Sequence, residues 1–540
     1  MNNRIGDTLK KNWGMLLTSL LFVGWALAFI YHSSYAATDG KRYFNLFDDA
    51  MISMRYAWNF SHGSGLVWNA GDYVEGYTNL LMTLLMSVAT LFFDKRYAVL
   101  AIQLTGIFFT LGTTWLTVRI GETISSDAAS NYGTADSSLH RYLPFILILL
   151  YYPLNFWSLM GMETGMLAFL LSAGVFYSLK YADSLTHSES LNQKHLWWMS
   201  LSFGLAFLTR NDSLIFAALS FLYLLPTLKN GRRQVYLFFM AGILYSSFVL
   251  GQSSFRYFYY GEIAPNTYTL KLVGMALGER LRNGWGFIQP FLKETGFILL
   301  IVVVGLALKF SWKKFYLFGF FLISVIYQIY VGGDAWNYWR IMTPSMPLLF
   351  LLFVFACFEI ANRFPQTRRM SYLWVAALSV IGLCFADARF VKEFLLIDLP
   401  YQNNYAQAHV EAAIALNDLT DENATIGVFW GGTLPYYLDR KAIDFLGKSD
   451  RYIASLPPDV SGQSAGFGMN SMPGHNKYDL TYSIQTLLPT YVQEFDWGTQ
   501  KLSTWAEDYY VRVKYNDAKL YLLKDSPHVR WDRVKVILQW

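Results

Sequence analysis

The sequence predicts a polytopic α-helical membrane protein of about eleven spans, followed by a C-terminal extracytoplasmic α/β domain. Three observations carry this reading. Of 540 residues, 54% are apolar and only 15% are charged, against roughly a quarter charged in soluble domains. The charges gather between apolar runs that approach the ~20 residues needed to cross a hydrocarbon core. From about residue 387 those runs stop and turn residues return.

The first run, 13–31 (WGMLLTSLLFVGWALAFIY), carries no charge. It is longer than the apolar core of a signal peptide, so it reads as a retained anchor. Further runs cover 97–118, 142–160, 162–180, 195–209, 213–228, 235–253, 296–308, 315–331, 343–360 and 371–386. Lys and Arg mark the cytoplasmic ends of spans. Arg4, Lys10 and Lys11 place the N-terminus inside, and Lys229 with Arg232 and Arg233 does the same for a later loop. Lys309, Lys313 and Lys314 mark another inside loop, as do Arg363, Arg368 and Arg369. Counting 78–93 (TNLLMTLLMSVATLFF) as a crossing would reverse every later loop, so it reads as a helix lying in the outer interface.

This threading puts loop 32–77, the turn at Glu163, the turns at 209–212 and 332–340, loop 254–295 and residues 387–540 outside a cytoplasmic (inner) membrane. The domain organisation is then a transmembrane module over 1–386 and a soluble domain over 387–540. In the latter, AQAHVEAAIALNDL (406–419) has helical spacing. ATIGVFW and YYVRVKYNDAKLYLLK alternate like strands, the second with an Asn-Asp turn suited to a hairpin. Cys357 and Cys384 both lie in apolar runs, which leaves neither a disulfide framework nor a thiol metal site. The net charge of +5 is small for this length and no basic motif stands out, which excludes nucleic acid as the expected partner.

The outer face is where polar residues cluster. Asp48 and Asp49 come first, with Glu75 and Asn79 nearby; Glu163, Arg210, Asp212, Arg256, Lys271, Asp334, Arg340, His475 and Lys477 follow along the chain. A carboxylate can serve as general base on a hydroxyl, and Arg and Lys can hold a phosphate. Together they point to group transfer from a phosphorylated donor to a hydroxyl acceptor. Outside the cell no nucleotide supply exists, so a lipid-linked phosphate suits the location. Blander roles compete: an acid at 48–49 or Asp334 can cap a helix, Glu163 suits a helix start, Arg256 and Lys271 can anchor at an interface, and a lone His475 can simply pack. The Asp48–Asp49 pair also offers hard oxygens for a divalent cation.

The phrase DDAMISMRYAWNFSHGSGLVWNAGDYVEGYTN, followed in order by GMET, LTRND, YGEIAPNTYTLK, GGDAWNYWRIMTP, AIDFLGKSDRYIA and PGHNK, resembles the terminal arabinofuranosyltransferase family of actinobacterial cell-wall synthesis and its bacterial relatives. The resemblance runs from about residue 45 to 480. It implies a GT-C class glycosyltransferase that takes a sugar such as arabinofuranose from a polyprenyl-phosphate donor and gives it to an envelope glycan or glycolipid. It further implies Asp48 as catalytic base, Asp49 as its support or a metal ligand, and Arg210, Lys271, Arg340, His475 and Lys477 as donor contacts. Two other classes stay open: a lipid-linked-saccharide flippase, expected to bury charge at mid-membrane, and a non-catalytic envelope assembly protein.

Overall fold

Apolar run length decides most of the architecture. The computed structural model describes residues 2–126, 139–187, 193–364, 368–461 and 469–539. In chain order the helices are α1 (Asn2–Ser33), α2 (Asp48–Ser61), α3 (Leu80–Phe92), α4 (Lys95–Ser126), α5 (Leu139–Leu150), α6 (Tyr152–Leu159), α7 (Thr164–His187), α8 (Gln193–Thr209), α9 (Leu214–Leu224), α10 (Arg232–Tyr260), α11 (Asn266–Leu272), α12 (Leu277–Leu308), α13 (Trp312–Val331), α14 (Met346–Ala361) and α15 (Arg368–Asp387). A two-residue hairpin, β1 (Tyr35–Ala36) with β2 (Arg42–Tyr43), precedes α2. α14 is apolar all round and almost wholly buried, which makes it the centre of the bundle.

Among the described residues, eight helices are long and apolar enough to cross a membrane, or nine if one bent pair counts as a span. The expected eleven counts three further runs, 142–160, 195–209 and 213–228, whose helices are broken or shorter. The run 142–160 is the bent pair: α5 and α6 meet at 56°. Pro153 explains the break. It has no N–H and its ring would clash with the carbonyl four residues back. That carbonyl, on Leu149, instead accepts from the side chain of Asn155 at 2.7 Å. Runs 195–209 and 213–228 become α8, of 17 residues, and α9, of 11. At 1.5 Å per residue these rise only ~26 and ~17 Å, short of the ~30 Å core. α3, the helix of the 78–93 run, has 13 residues, a rise of ~20 Å that also falls short of a crossing. It buries Met82 and Met86 and exposes Leu91 and Phe92.

After α15 come α16 (Val391–Phe394) and α17 (Asn403–Leu419), then a six-stranded mixed sheet. Its strands are β3 (Thr425–Val428), β4 (Lys441–Asp444), β5 (Tyr491–Val492), β8 (Tyr510–Tyr515), β9 (Ala518–Leu523) and β10 (Val536–Leu538), in spatial order β10-β8-β9-β5-β3-β4. β6 (Asp496–Trp497) and β7 (Gln500–Lys501) form a separate small hairpin. β3 runs parallel to β4 and β5; the pairs further out are antiparallel. The short helix α18 (Thr433–Tyr437) makes the β3–β4 crossover, α19 (Arg451–Ser455) packs against α11, and α20 (Ser503–Tyr509) against β8. Asn516 turns the β8–β9 hairpin with φ of 50°, as its residue type allows. α17 lays Ala412, Ala413, Leu416 and Leu419 against Ile426, Val428, Leu520 and Leu522.

The first loop is sewn into this sheet. Asn69 donates to the Ala442 carbonyl at 2.9 Å and accepts from the Ala442 N–H at 3.0 Å, so one amide stands in for a missing strand beside β4. Arg55, buried on α2, donates to the carbonyls of Trp68 at 2.6 Å, Pro435 at 2.5 Å and Arg440 at 2.8 Å, and to Asn69 Oδ1 at 2.9 Å. Arg55→Ala takes a buried charged donor away from all four acceptors, of which Asn69 Oδ1 keeps the Ala442 N–H and the Trp68 carbonyl keeps Asn59. A loss of about 3 kcal/mol follows from hydrogen bonds to a charged donor, readable as a drop of several degrees in the unfolding midpoint of the purified protein. An unchanged midpoint would show that this guanidinium does not hold the loop to the sheet.

Candidate functional site

α2 begins at Asp48, so both acids stand in its first turn, where the helix dipole favours negative charge. Successive residues on a helix point about 100° apart, and the two carboxylates diverge. Asp48 turns to the C-terminal domain: its oxygens accept from the N–H groups of Gly432 at 3.1 Å and Thr433 at 2.8 Å, at the start of α18. Gly432 is required for this approach, since a Cβ there would lie 2.0 Å from the Asp48 carbonyl oxygen. Asp48 therefore caps a helix other than its own, and it does not line the cavity described next.

Asp49 faces a cavity of about 370 Å³, whose walls include Ser53, Asn79, Glu163, Arg210, Asp212, Tyr268, Lys271, Tyr327, Arg340 and Lys448. Ser53 lies four residues on from Asp49, on the same helix face. Asp49 Oδ1 accepts from Lys448 at 2.6 Å; Oδ2 accepts from Arg340 at 2.9 Å and from the Trp336 indole at 3.2 Å. Burial alone would raise this carboxyl, but Lys448 and Arg340 outweigh it and hold it well below the usual range. Lys448 is raised in turn: its burial is overcome chiefly by Asp49. Asp49 is thus an anion at any physiological pH.

The remaining ions are arranged around it in pairs. Arg340 grips Asp334 with two bonds, of 2.9 and 3.2 Å, so Asp334 stands behind Arg340 and outside the lining. Arg210 bridges Glu163 at 2.8 Å and Asp212 at 2.6 Å. Glu163 also accepts from Asn79 at 3.1 Å, and Asn79 Oδ1 accepts from Ser53 at 2.9 Å. Lys271 differs from the other cations of the cavity. Its nearest carboxylate, Asp334, is 3.9 Å away, and its side chain is 37% exposed. Desolvation and the neighbouring Arg340 lower its pKa, with Asp334 opposing. It is the cation best placed to receive an anion from outside.

Four further expected contacts fall outside the lining. Glu75 pairs with Arg256 at 2.5 Å, and Arg256 also donates to Asn211 at 2.7 Å, a buried tie between the first loop and α10. Lys477 donates to the carbonyls of Thr269 at 3.0 Å and Ala454 at 2.7 Å, which spends its ammonium on the backbone. His475 packs among Trp336, Trp430 and Trp497. Burial first, then Lys448, pushes it down to about 3, so it is neutral and offers a phosphate no charge. Lys448 is the residue that sequence reasoning missed. It sits inside the quoted AIDFLGKSDRYIA, where nothing local separates it from any other turn lysine.

A divalent cation does not fit the Asp48–Asp49 pair, which corrects that expectation. The carboxylates point apart, Asp48 is committed to two backbone amides, and Asp49 already meets two cations. Among the described residues no group of three or more His, Cys, Asp or Glu side chains is placed to hold a metal.

Comparison with known proteins adds to this geometry. Residues 399–523 match a family described as a domain of unknown function (DUF8728). No curated protein matches the chain. Among solved structures, the apo oligosaccharyltransferase of Archaeoglobus fulgidus is similar with a TM-score of 0.54 at 12% identity, over 96% of this chain and 75% of that one. The archaeal oligosaccharyltransferase AglB from the same organism, in complex with an inhibitory peptide and a dolichol-phosphate, gives 0.53 at 11% identity, over 97% and 75%. ArnT from Cupriavidus metallidurans, bound to undecaprenyl phosphate, gives 0.52 at 12% identity, over 94% and 98%. At such identities the likeness is one of fold: this chain is a polytopic helical protein of GT-C-like architecture with a sheet-containing C-terminal part.

Proposed function

We propose that the chain is a membrane glycosyltransferase that moves a sugar from a polyprenyl-phosphate donor to a hydroxyl of an envelope glycan or glycolipid. The observation that carries this is one cavity whose walls join a carboxylate anion, Asp49, with Arg340, Lys448 and the part-exposed Lys271, whose counter-ion Asp334 lies as far off as 3.9 Å. Two proteins of similar fold are described as bound to dolichol-phosphate and undecaprenyl phosphate, which supports a lipid phosphate as the group that enters. The outer face of the cytoplasmic membrane is the setting that the basic loops favour, and arabinofuranose is the first sugar to offer.

In this reading Asp49, rather than Asp48, is the base. The acceptor hydroxyl binds beside Asp49 and attacks the anomeric carbon from the side opposite the phosphate. The bond from anomeric carbon to phosphate oxygen breaks, and its electron pair leaves with the lipid phosphate. Lys271, Arg340 and Lys448 hold that anion, and the hydroxyl proton passes to Asp49. The attack inverts the anomeric centre. Phosphate is a weak base, so it departs without a general acid, unlike the ether-like leaving group of glycosidases, which needs a second carboxylic acid. A weakly basic carboxylate suffices because the hydroxyl becomes strongly acidic only as its bond to carbon forms. Arg210, with Glu163, Asp212 and Asn79, lines the rest of the polar wall, where the sugar would lie. Residues 387–540 are then a module that completes the site, since Lys448 comes from it.

Asp49→Asn should lower release of polyprenyl phosphate by about 10²- to 10⁴-fold, the range of a lost general base, with expression and unfolding midpoint retained. Asp48→Asn keeps one accepting oxygen toward α18 and should lose far less. The opposite ranking would return the role of base to Asp48. Lys271→Met should weaken binding of undecaprenyl phosphate by about 10- to 100-fold, the worth of one charge-assisted hydrogen bond; titration calorimetry giving equal affinities would remove Lys271 from the phosphate site. Lys448→Met acts on pH dependence. Asp49 works ionised, so activity is present above its folded pKa and lost as pH falls through it. Removing Lys448 takes away a lowering influence, so the acid limb of the pH–rate profile should move to higher pH. A limb that stays put would mean that Lys448 does not set the charge of the base.

A further inference from the structure

Lys448 reaches Asp49 from 399 residues further along the chain, and it does so from a turn that is held on three sides. From within its own domain, Asp444 accepts from the N–H groups of Leu446 at 3.0 Å and Ser449 at 2.7 Å. From below, Gly76 of the first loop lies so close that a Cβ there would stand 2.4 Å from Ser449 Oγ and 3.0 Å from the Lys448 carbonyl oxygen. From a third element comes Asn266, the first residue of α11 and itself only 3% exposed. Its side-chain amide donates to the carbonyls of Gly447 at 2.9 Å, Lys448 at 3.0 Å and Asp450 at 3.3 Å. Its own N–H donates to the Glu75 carbonyl at 3.2 Å. One residue thus fastens the turn, the first loop and α11 together.

α11 also carries Lys271, five residues on, and is fastened a second time where Lys477 bonds the carbonyls of Thr269 and Ala454. The two lysines that face the cavity therefore sit on parts of the chain joined at Asn266. A flexible ammonium stem gains nothing from a nearby carboxylate unless its backbone is fixed, because each lysine gives up up to ~2 kcal/mol of rotamer freedom when held.

We propose that Asn266 is a positioning residue, which fixes the 447–450 turn so that Lys448 meets Asp49 and couples that contact to the helix bearing Lys271. This rests on the glycosyl-transfer reading of the cavity. Asn266 touches none of the reacting groups; it acts through Lys448.

The test uses the full chain in lipid nanodiscs with two readouts. Hydrogen–deuterium exchange over 446–450 reports the turn without any substrate. Release of lipid phosphate from a polyprenyl-phosphate sugar reports turnover. In Asn266→Ala, exchange over 446–450 should rise about 10-fold while the β-sheet stays protected, and turnover should fall about 10- to 100-fold, the scale of a misplaced catalytic group. On a Lys448→Ala background the same change should cost less than about 2-fold, because the two act as one unit. Unchanged exchange over 446–450 would overturn the proposal, and so would a full additional loss on the Lys448→Ala background. If the unaltered chain releases no lipid phosphate while exchange rises as expected, the glycosyl-transfer reading falls and the clamp stands. Should Asn266→Ala not fold, Asn266→Gln, which keeps the amide on a longer stem, gives the same two readouts with smaller effects.

Discussion

A buried carboxylate is tolerable only if cations are buried with it, and Asp49 is the place where this constraint is met. Arg340 and Lys448 come to it from 291 and 399 residues away in sequence. Losing either leaves a buried charge short of a partner, a far larger penalty than the pair's net worth. The GGDAWNYWR turn and the C-terminal domain each deliver a cation to this one anion. Arg340 can serve because Asp334 fixes its fork, and Lys448 because Asn266 and Asp444 fix its backbone.

The same logic sorts the polar residues into two kinds. Glu75–Arg256, Arg55 and Lys477 spend their charge on holding loops to helices, each with partners already complete. The cavity ions are also paired, save that Lys271 stands 3.9 Å from Asp334. Under the proposed transfer, an anion entering a site balanced in this way would bind by exchange rather than by simple neutralisation, its oxygens taking over cations from the carboxylates.

Much of the fold was legible because its signals are local. Apolar run length gave the helices, alternation gave β8 and β9, and Asn516 gave their turn. Pro153 was also in plain view, inside run 142–160, and the bend it causes could have been read from that alone. The doublet at 48–49 marked the site, since its position beside a span has few uses. Which acid faces the cavity was not legible. That depends on helix phase and on Gly432, 384 residues away. Lys448 was hidden for the same reason: among 43 Lys and Arg residues, only tertiary contact distinguishes it. His475 and Lys477 were drawn in by their charge, but burial and backbone carbonyls decide what that charge can do.

Asn69 has a consequence for how the molecule comes to be made. By donating to and accepting from Ala442 it closes the open edge of β4, and an open edge is a template for pairing with other chains. That closure arrives from a loop translated some 370 residues earlier. The first loop therefore waits, already delivered, for the sheet to fold onto it. A fragment bearing the sheet without that loop would leave β4 bare and tend to aggregate through it, so the two halves of the chain are partners in biogenesis as well as in the finished site.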